Sequence, residues 1–153
     1  MSHFPPTCEL LPHEGAMALL GAVLDHSPTH TVCSVECAES ELFRQFDGSI
    51  PIWLTIEYMA QCIGVHANLE KHARGEGPSL GFFVGTRRTL LHADRLTPDE
   101  RLRVRVDALR QGGALVVFSC RVDREGDAAL LAEGVLSVFE PRDRGSLFPR
   151  PPR

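Results

Sequence analysis

A carboxylate in the middle of an apolar segment is the first feature of this sequence that points to chemistry. The segment SIPIWLTIEYMAQCIGVHA, residues 49–67, is apolar nearly all the way round a helix, yet it contains Glu57. Burial in an apolar setting disfavours the charged form of a carboxyl group and can raise its pKa by several units. A neutral buried carboxyl group can donate a proton. The structural alternative is a glutamate satisfied by an arginine or by Gln61, four residues on.

The cysteines offer a second possible chemistry, metal binding. There are five of them, an odd number, which argues against a disulfide framework. Only Cys33 and Cys37 are close in sequence, and their spacing in a predicted strand puts both thiols on one face, as a zinc site requires. No second Cys/His pair lies at ligand spacing, so we expect no metal.

The element that must position Glu57 is a long helix, predicted over residues 51–73. Ser49 can cap its N-terminus, and Pro51 is tolerated in the first turn, where its missing N–H is not needed. The sequence KHARGEGP, with basic residues followed by glycines and a proline, indicates its end. The apolar residues of this helix cannot share one stripe, so we expect it to be enclosed on every side.

Strand patterns surround this helix in the sequence. An apolar segment at 17–24 follows a turn at Glu14-Gly15 and is a strand or a short helix, and strands are predicted over 29–38, 81–93, 100–111, 114–123 and 128–140. One long helix followed by four consecutive strands predicts an α+β domain of the hotdog type, in which an antiparallel sheet wraps around one central helix. We expect a single such domain over 1–140 and a Pro/Arg-rich tail over 141–153.

Two motifs carry a resemblance to a known family. The segments LPHEGAMALLGAVLDH (11–26) and PIWLTIEYMAQCIGVHA (51–67) resemble the corresponding segments of the 3-hydroxyacyl-acyl-carrier-protein dehydratases, which have the hotdog fold. The variant W-x-x-I-E-Y-M-A-Q and the later FFVGTRRTLL more closely resemble the dehydratase-like proteins encoded with aryl-polyene and xanthomonadin-type pigment pathways. The match covers most of the first two-thirds of the chain, and E-Y-M-A-Q on a helix after a proline is its most specific part.

The resemblance implies a reaction and a role for Glu57. In the family, a histidine removes the α-proton of a 3-hydroxyacyl thioester, and the carboxylic acid on the helix protonates the departing hydroxyl group. Glu57 matches that acid by motif. The acyl group travels on phosphopantetheine, attached to an acyl carrier protein or to coenzyme A, so the resemblance implies no resident cofactor.

The base is where this sequence departs from the family. The usual histidine lies in a loop fourteen residues before the glutamate, and Phe43 occupies that position here. The resemblance makes His13, in LPHEG, the candidate, because this segment lies at the mouth of the acyl tunnel in related folds. Asp47 is an alternative base or polar partner, although an Asp-Gly pair is typical of a turn. His66, nine residues past Glu57, would face about 180° away from it on a helix.

Further residues are candidates for substrate binding. The N-terminus of the helix offers unpaired N–H groups and a positive dipole end, which suit a thioester carbonyl as it gains enolate character. Trp53 replaces the family's glycine and either narrows the tunnel or packs as a core aromatic. Arg87 and Arg88 are adjacent in a strand, so one should point inward and one outward, toward solvent or toward a phosphate or acidic carrier protein. The full set of candidates is Trp53, Gln61, Asp47, Arg87 and Arg88.

Composition narrows the partners and the location. The chain of 153 residues has 20 acidic and 16 basic residues, a net charge of −4, and no dense basic run, so we expect no nucleic acid partner. No segment reaches the roughly 18 continuous apolar residues that span a membrane, and the N-terminus lacks a signal-peptide pattern, so we expect a cytoplasmic protein. We expect a homodimer or a hotdog heterodimer. Two alternatives to a dehydratase remain open, a hotdog acyl thioesterase and a non-catalytic partner subunit.

Overall fold

The fold contains one long helix and a large antiparallel sheet. The computed structural model describes residues 3–79, 81–111 and 113–141. The helices and strands in these ranges are α1 Thr7–Leu10, α2 Leu54–Ala73, β1 Val23–His26, β2 His30–Glu36, β3 Ile50–Pro51, β4 Phe82–Leu91, β5 Arg95–Leu96, β6 Arg101–Arg110, β7 Leu115–Arg124 and β8 Leu130–Phe139. Short 3-10 turns occupy Gly15–Met17, Cys37–Glu39 and Glu41–Phe43.

Six strands form one sheet in the order β1-β2-β6-β7-β8-β4, and every pairing is antiparallel. Strand β2 alternates in burial, so that Thr31, Cys33 and Val35 are buried, and α2 packs against β2, β6, β7 and β8. The predicted hotdog architecture, a sheet wrapped around one central helix, is therefore confirmed. Strand β4 is an edge strand that pairs only with β8 among the described strands.

The helix begins three residues later than the sequence predicts. Ile50 and Pro51 form β3 and pair with Leu96 and Arg95 of β5, a two-residue ladder too short to show in sequence periodicity. The Ser49 hydroxyl does not cap the helix, because it bonds within its own turn, where Ser49 Oγ lies 2.5 Å from Asp47 Oδ1 and 3.0 Å from Gln45 Oε1. Trp53 occupies the N-cap position without a side-chain hydrogen bond, and α2 ends at Ala73 as predicted.

The sheet does not enclose α2 completely. Tyr58, Met59, Cys62 and Val65 are fully buried, and the Tyr58 hydroxyl lies 2.6 Å from Ser40 Oγ. Other positions on the helix are only half-buried, namely Ile56, Glu57, Ala60, Gly64 and Ala67. The prediction of enclosure on every side is therefore wrong for the single chain, because one stripe of small residues remains open.

The remaining predicted strands agree with the structure within one or two residues at their ends. The segment 17–24 is the exception, since only its last residues, from Val23, join a strand. The Pro/Arg-rich tail predicted over 141–153 lies outside the described residues apart from Pro141, and the domain boundary stays a prediction. Among the helices that the structure describes, none combines the length and apolarity needed to cross a bilayer.

Candidate active site

Glu57 lies in the first turn of α2 and faces a cavity. Its side chain is 37% exposed, so the expectation of a deeply buried carboxylate is wrong for the single chain. The reason is the open stripe on α2, which places Glu57 beside Ala60 and Gly64. These three residues line a cavity of about 210 Å³ that reaches Phe83 on the edge strand β4.

Gln61 fixes one oxygen of this carboxylate. Its side-chain Nε2 donates to Glu57 Oε1 at 2.9 Å and to the Met17 carbonyl at 2.9 Å. Its Oε1 accepts from the Leu19 amide at 3.1 Å, and the residue is only 1% exposed. The hydrogen-bonding partner that the sequence suggested for Glu57 is therefore present, and it also attaches the segment before β1 to the helix.

That attachment brings His13 to Glu57 from a position 44 residues earlier in the chain. The distance from His13 Nε2 to Glu57 Oε1 is 3.6 Å, and both residues line the same cavity. His13 Nδ1 is buried and has no hydrogen-bond partner among the described residues. The segment is held on both sides of His13, by Leu11 packed on Gly64 and by the bonds of Gln61 beyond the turn. The two residues predicted to be catalytic thus meet in space.

Asp47, the alternative base, lies in a turn outside this cavity. Its carboxylate accepts from the Ser49 amide at 2.9 Å and from Ser49 Oγ, and it pairs with Arg95 at 3.1 Å. These hydrogen bonds from Ser49 hold the pKa of Asp47 below its ordinary value. A carboxylate bonded in this way is a poor proton acceptor, so the geometry does not favour Asp47 as the base.

Trp53 does not line the cavity of Glu57 either. Its side chain is 55% exposed and meets Phe43 edge to face, with ring centroids 6.2 Å apart. The expectation of a core aromatic is therefore wrong in the single chain. The amides of Thr55 and Ile56 bond to the carbonyls of Ile52 and Trp53, so these two N–H groups are not free for a thioester carbonyl.

Arg87 and Arg88 lie on β4, and both are exposed. The register of β4 with β8 shifts between Arg87 and Leu90. Arg88 has a φ of 52° at this irregularity, which breaks the alternation of side chains. Neither arginine lines the cavity of Glu57.

The structure places the two cysteines of the close pair in different elements. Cys33 lies in β2, whereas Cys37 begins a 3-10 turn, so the two are not in one continuous strand. Burial raises the pKa of the Cys37 thiol to about 12. No group of three or more potential metal ligands occurs among the described residues.

A second cavity, not anticipated from the sequence, continues from the first along α2. It has a volume of about 500 Å³, and it shares Gly64, Asn68, Ser79, Gly81 and Val138 with the first cavity. Small residues separated by three or four positions, Ala60, Gly64 and Ala67, line this path. That spacing is visible in the sequence and is the signal by which the path could have been found.

Comparisons with known proteins agree with this geometry. The model of the ApeP-like family, described as ApeP dehydratase, matches residues 5–148. The structure is similar to the dehydratase heterocomplex ApeI:P from Xenorhabdus doucetiae, with a TM-score of 0.87 and 30% identity over 95% of this chain and 96% of that chain. The comparison with curated proteins returns no relative.

More distant structures share the fold alone. AziG from S. sahachiroi has a TM-score of 0.65 and 16% identity over 88% of this chain and 99% of that chain. A hypothetical thioesterase with coenzyme A from Streptococcus pneumoniae TIGR4 has a TM-score of 0.60 and 11% identity over 78% and 84% of the two chains. With its wrapped helix, its LPH and EYMAQ segments meeting at one cavity, and a family match over nearly its whole length, this chain belongs to the ApeP-like dehydratase family.

Proposed function

We propose that this chain eliminates water from a 3-hydroxyacyl thioester, carried by acyl carrier protein or coenzyme A, as one half of a two-chain hotdog dehydratase. The observation that carries the proposal is the meeting of His13, Glu57 and Gln61 at one cavity. The family relationship supports dehydration, and the resemblance to the pigment-pathway branch supports an acyl group of the polyene or fatty-acid type. No resident cofactor is needed, because side chains supply both proton transfers.

Two side chains carry out the two proton transfers of the proposed elimination. His13 Nε2 accepts the proton from the α-carbon, the electrons of that C–H bond form the new C=C bond, and the C–O bond at the β-carbon breaks. Glu57 donates its proton to the departing hydroxyl group, which leaves as water. The separation of 3.6 Å between His13 Nε2 and Glu57 Oε1 supports return of the proton from His13 to Glu57 after product release. Gln61 holds the carboxylate in position throughout.

The second chain of the proposed dehydratase pairs with β4. This edge strand exposes five large apolar side chains, Phe82, Phe83, Val84, Leu90 and Leu91, and an exposed apolar edge is a template for another strand. Phe83 also lines the cavity of Glu57, so a chain docked on β4 would cover the site and exclude water from it. The similar ApeI:P structure is a heterocomplex, which supports a heterodimer over a homodimer.

The remaining predicted contacts belong to the same proposal. Arg87 and Arg88 are exposed on β4 and are proposed to meet the phosphate of the pantetheine arm or an acidic carrier protein. Trp53 and Asp47 do not line the cavity of Glu57, so the proposal gives them no role at the reacting atoms. The five cysteines are all unpaired, which supports a reducing, cytoplasmic location.

The products of a thioester assay test this function. Purified full-length chain is incubated with a 3-hydroxyacyl pantetheine thioester, alone and with a co-purified hotdog partner, while enoyl thioester and free thiol are both measured. We expect enoyl thioester, formed faster with the partner. Free thiol without enoyl product would instead indicate a thioesterase. Enoyl product that requires the partner and is unchanged by His13→Ala and Glu57→Gln would show a non-catalytic subunit, an outcome suggested by Phe43 at the usual position of the base.

Assembly is tested separately by light scattering at micromolar concentration. We expect a dimer, alone or with the partner chain. A chain that stays monomeric in both conditions would contradict the pairing through β4.

A further inference from the structure

The second cavity contains a buried histidine that the proposed reaction does not use. His66 lies on α2 nine residues after Glu57, which corresponds to about 13 Å along the helix axis. The residue is 4% exposed and lines the cavity of about 500 Å³ together with Ile63, Val116 and Phe118. Its ring meets the Phe118 ring edge to face, at 5.3 Å between centroids.

A chain of hydrogen bonds connects His66 to the surface. Glu70 Oε1 lies 3.4 Å from His26 Nε2, and His26 Nδ1 lies 2.8 Å from Thr31 Oγ1. The same Thr31 oxygen lies 2.8 Å from His66 Nδ1, and Thr31 is fully buried. One hydroxyl group therefore lies between two imidazole rings.

This arrangement determines where the proton on His66 lies when the imidazoles are neutral. An ionised carboxylate only accepts hydrogen bonds, so His26 donates from Nε2 to Glu70 and its Nδ1 is an acceptor. Thr31 must then give its single hydroxyl proton to His26. The Thr31 oxygen consequently accepts from His66 Nδ1–H, and Nε2 of His66 is left as a hydrogen-bond acceptor.

The surroundings of His66 keep it in the neutral form. Burial, followed by the nearby charge of His26, lowers the pKa of His66 to about 4. Among the charged residues that line the cavity, Lys71 forms an ion pair with Glu140, which also accepts from Ser79 Oγ at 2.6 Å, and Glu70 lies 3.4 Å from His26 Nε2. His66 is thus a neutral polar side chain in a cavity lined by apolar and aromatic residues, such as Val116 and Phe118, and also by polar ones, such as Asn68 and Gln111.

We propose that this second cavity binds the distal end of the acyl group and that His66 Nε2 accepts a hydrogen bond from a neutral hydroxyl group there. The inference rests on the proposed function for the direction of the acyl chain, from Glu57 through the shared residues toward His66. A hydroxyl group fits because it donates the one bond that the site lacks, whereas a methyl group would leave the nitrogen unpaired. The cavity would thereby select substrates by the group farthest from the reacting carbons.

Binding of two matched probes tests the inference without any turnover. The probes are 4-ethylphenol and 4-ethyltoluene, which differ by a hydroxyl group in place of a methyl group, and they are titrated calorimetrically into the full chain at pH 8. We expect 4-ethylphenol to bind about 3- to 10-fold more tightly, as one net hydrogen bond provides. His66→Phe should remove this preference, and His72→Phe, on the exposed side of the same helix, should keep it.

Thr31→Val provides a second variant should His66→Phe fail to fold. It keeps the size of the side chain but removes the hydroxyl that positions the proton of His66. The ratio of the affinities for 4-ethylphenol and 4-ethyltoluene should therefore fall toward one, while 4-ethyltoluene still binds. Equal affinities in the wild-type chain, absence of binding by both probes, or a preference that survives His66→Phe and Thr31→Val would overturn the inference.

Probe binding and thioester turnover, measured on the same chain, separate this inference from the proposed function. A chain that prefers 4-ethylphenol but forms no enoyl thioester, with or without a partner, would refute the dehydratase proposal and leave the hydroxyl site standing. A chain that dehydrates thioesters with a distal hydroxyl or a distal methyl group at equal kcat/KM would refute the hydroxyl site and leave the dehydratase proposal standing.

Discussion

Two histidines face the path along α2, and the structure holds them in opposite ways. His13 approaches Glu57 with a buried Nδ1 that has no hydrogen-bond partner among the described residues, in a cavity open toward an unpaired strand edge. His66 is buried and is fixed through Thr31. His13 lies where it can exchange a proton with Glu57, whereas the bond to Thr31 sets the tautomer of His66 and leaves its other ring nitrogen as an acceptor. We therefore distinguish two ends of the path, a reacting end at His13 and Glu57, where water is eliminated, and a selecting end at His66, where the distal group of the substrate is recognised.

Removal of His13 should give the largest change. We expect His13→Ala to lower dehydration by about 10²–10⁴-fold, the usual contribution of general base catalysis. Asp47→Asn is the control, because that carboxylate is bonded to Ser49 and Arg95 outside the cavity. If Asp47→Asn were inactive while His13→Ala kept its rate, the base would be Asp47 and the reacting end of the path would be misassigned.

Removal of His66 should instead change stability with pH. Because burial lowers the pKa of His66 to about 4, the unfolded chain binds a proton here between about pH 6.5 and pH 4 that the folded chain does not. The free energy of unfolding should therefore fall as the pH falls through this window, by at most about 3 kcal/mol from this residue. Urea titrations at pH 7.5 and pH 4.5 measure it.

The variant His66→Phe supplies the comparison, since lowered carboxylate pKa values elsewhere also weaken the fold in acid. We expect the difference in unfolding free energy between the two pH values to be smaller in His66→Phe than in wild type. An identical difference in both proteins would mean that His66 is not held neutral by its surroundings.

Added bulk at the two ends of the path should give smaller and distinct effects. Ala60 lines only the cavity of Glu57, and Ala67 lines only the second cavity. Ala60→Leu should lower kcat/KM for every acyl length, whereas Ala67→Leu should lower it about tenfold for long acyl groups only, as overpacking by 1–3 kcal/mol implies. A series of thioesters of increasing chain length measures both. Equal losses at all lengths in Ala67→Leu would show that the acyl chain does not enter the second cavity.

The sequence predicts those elements in which polar and apolar side chains follow a regular pattern. Alternation identified β2 and the four strands after the helix, and a long apolar segment followed by basic residues, glycines and a proline identified α2. The sequence prediction failed at Ser49, whose hydroxyl bonds within its own turn instead of capping the helix. It also failed at Arg88, where an irregularity in β4 interrupts the alternation of side chains. Such local departures depend on strand pairing, which single-chain periodicity does not contain.

For the candidate site, the sequence predicted the residues but not their exposure or their connections. His13 and Glu57 came from the motifs, because the family resemblance relates positions that periodicity treats separately. The exposure of Glu57 was not predictable, since an apolar helix surface is the same whether the chain's own sheet or a second chain covers it. The connection of His66 to Thr31 also escaped the sequence, because it depends on which residue of β2 packs against which turn of α2.

The central claim, that Glu57 is the acid in a dehydration, is tested most directly by Glu57→Gln. Single-turnover formation of enoyl thioester is followed in the complex with the hotdog partner, and Glu9→Gln, an exposed carboxylate on α1, is the control. The account predicts a folded Glu57→Gln protein whose rate is lower by about two orders of magnitude or more, with Glu9→Gln unchanged. A Glu57→Gln protein that forms enoyl thioester at the wild-type rate would contradict it.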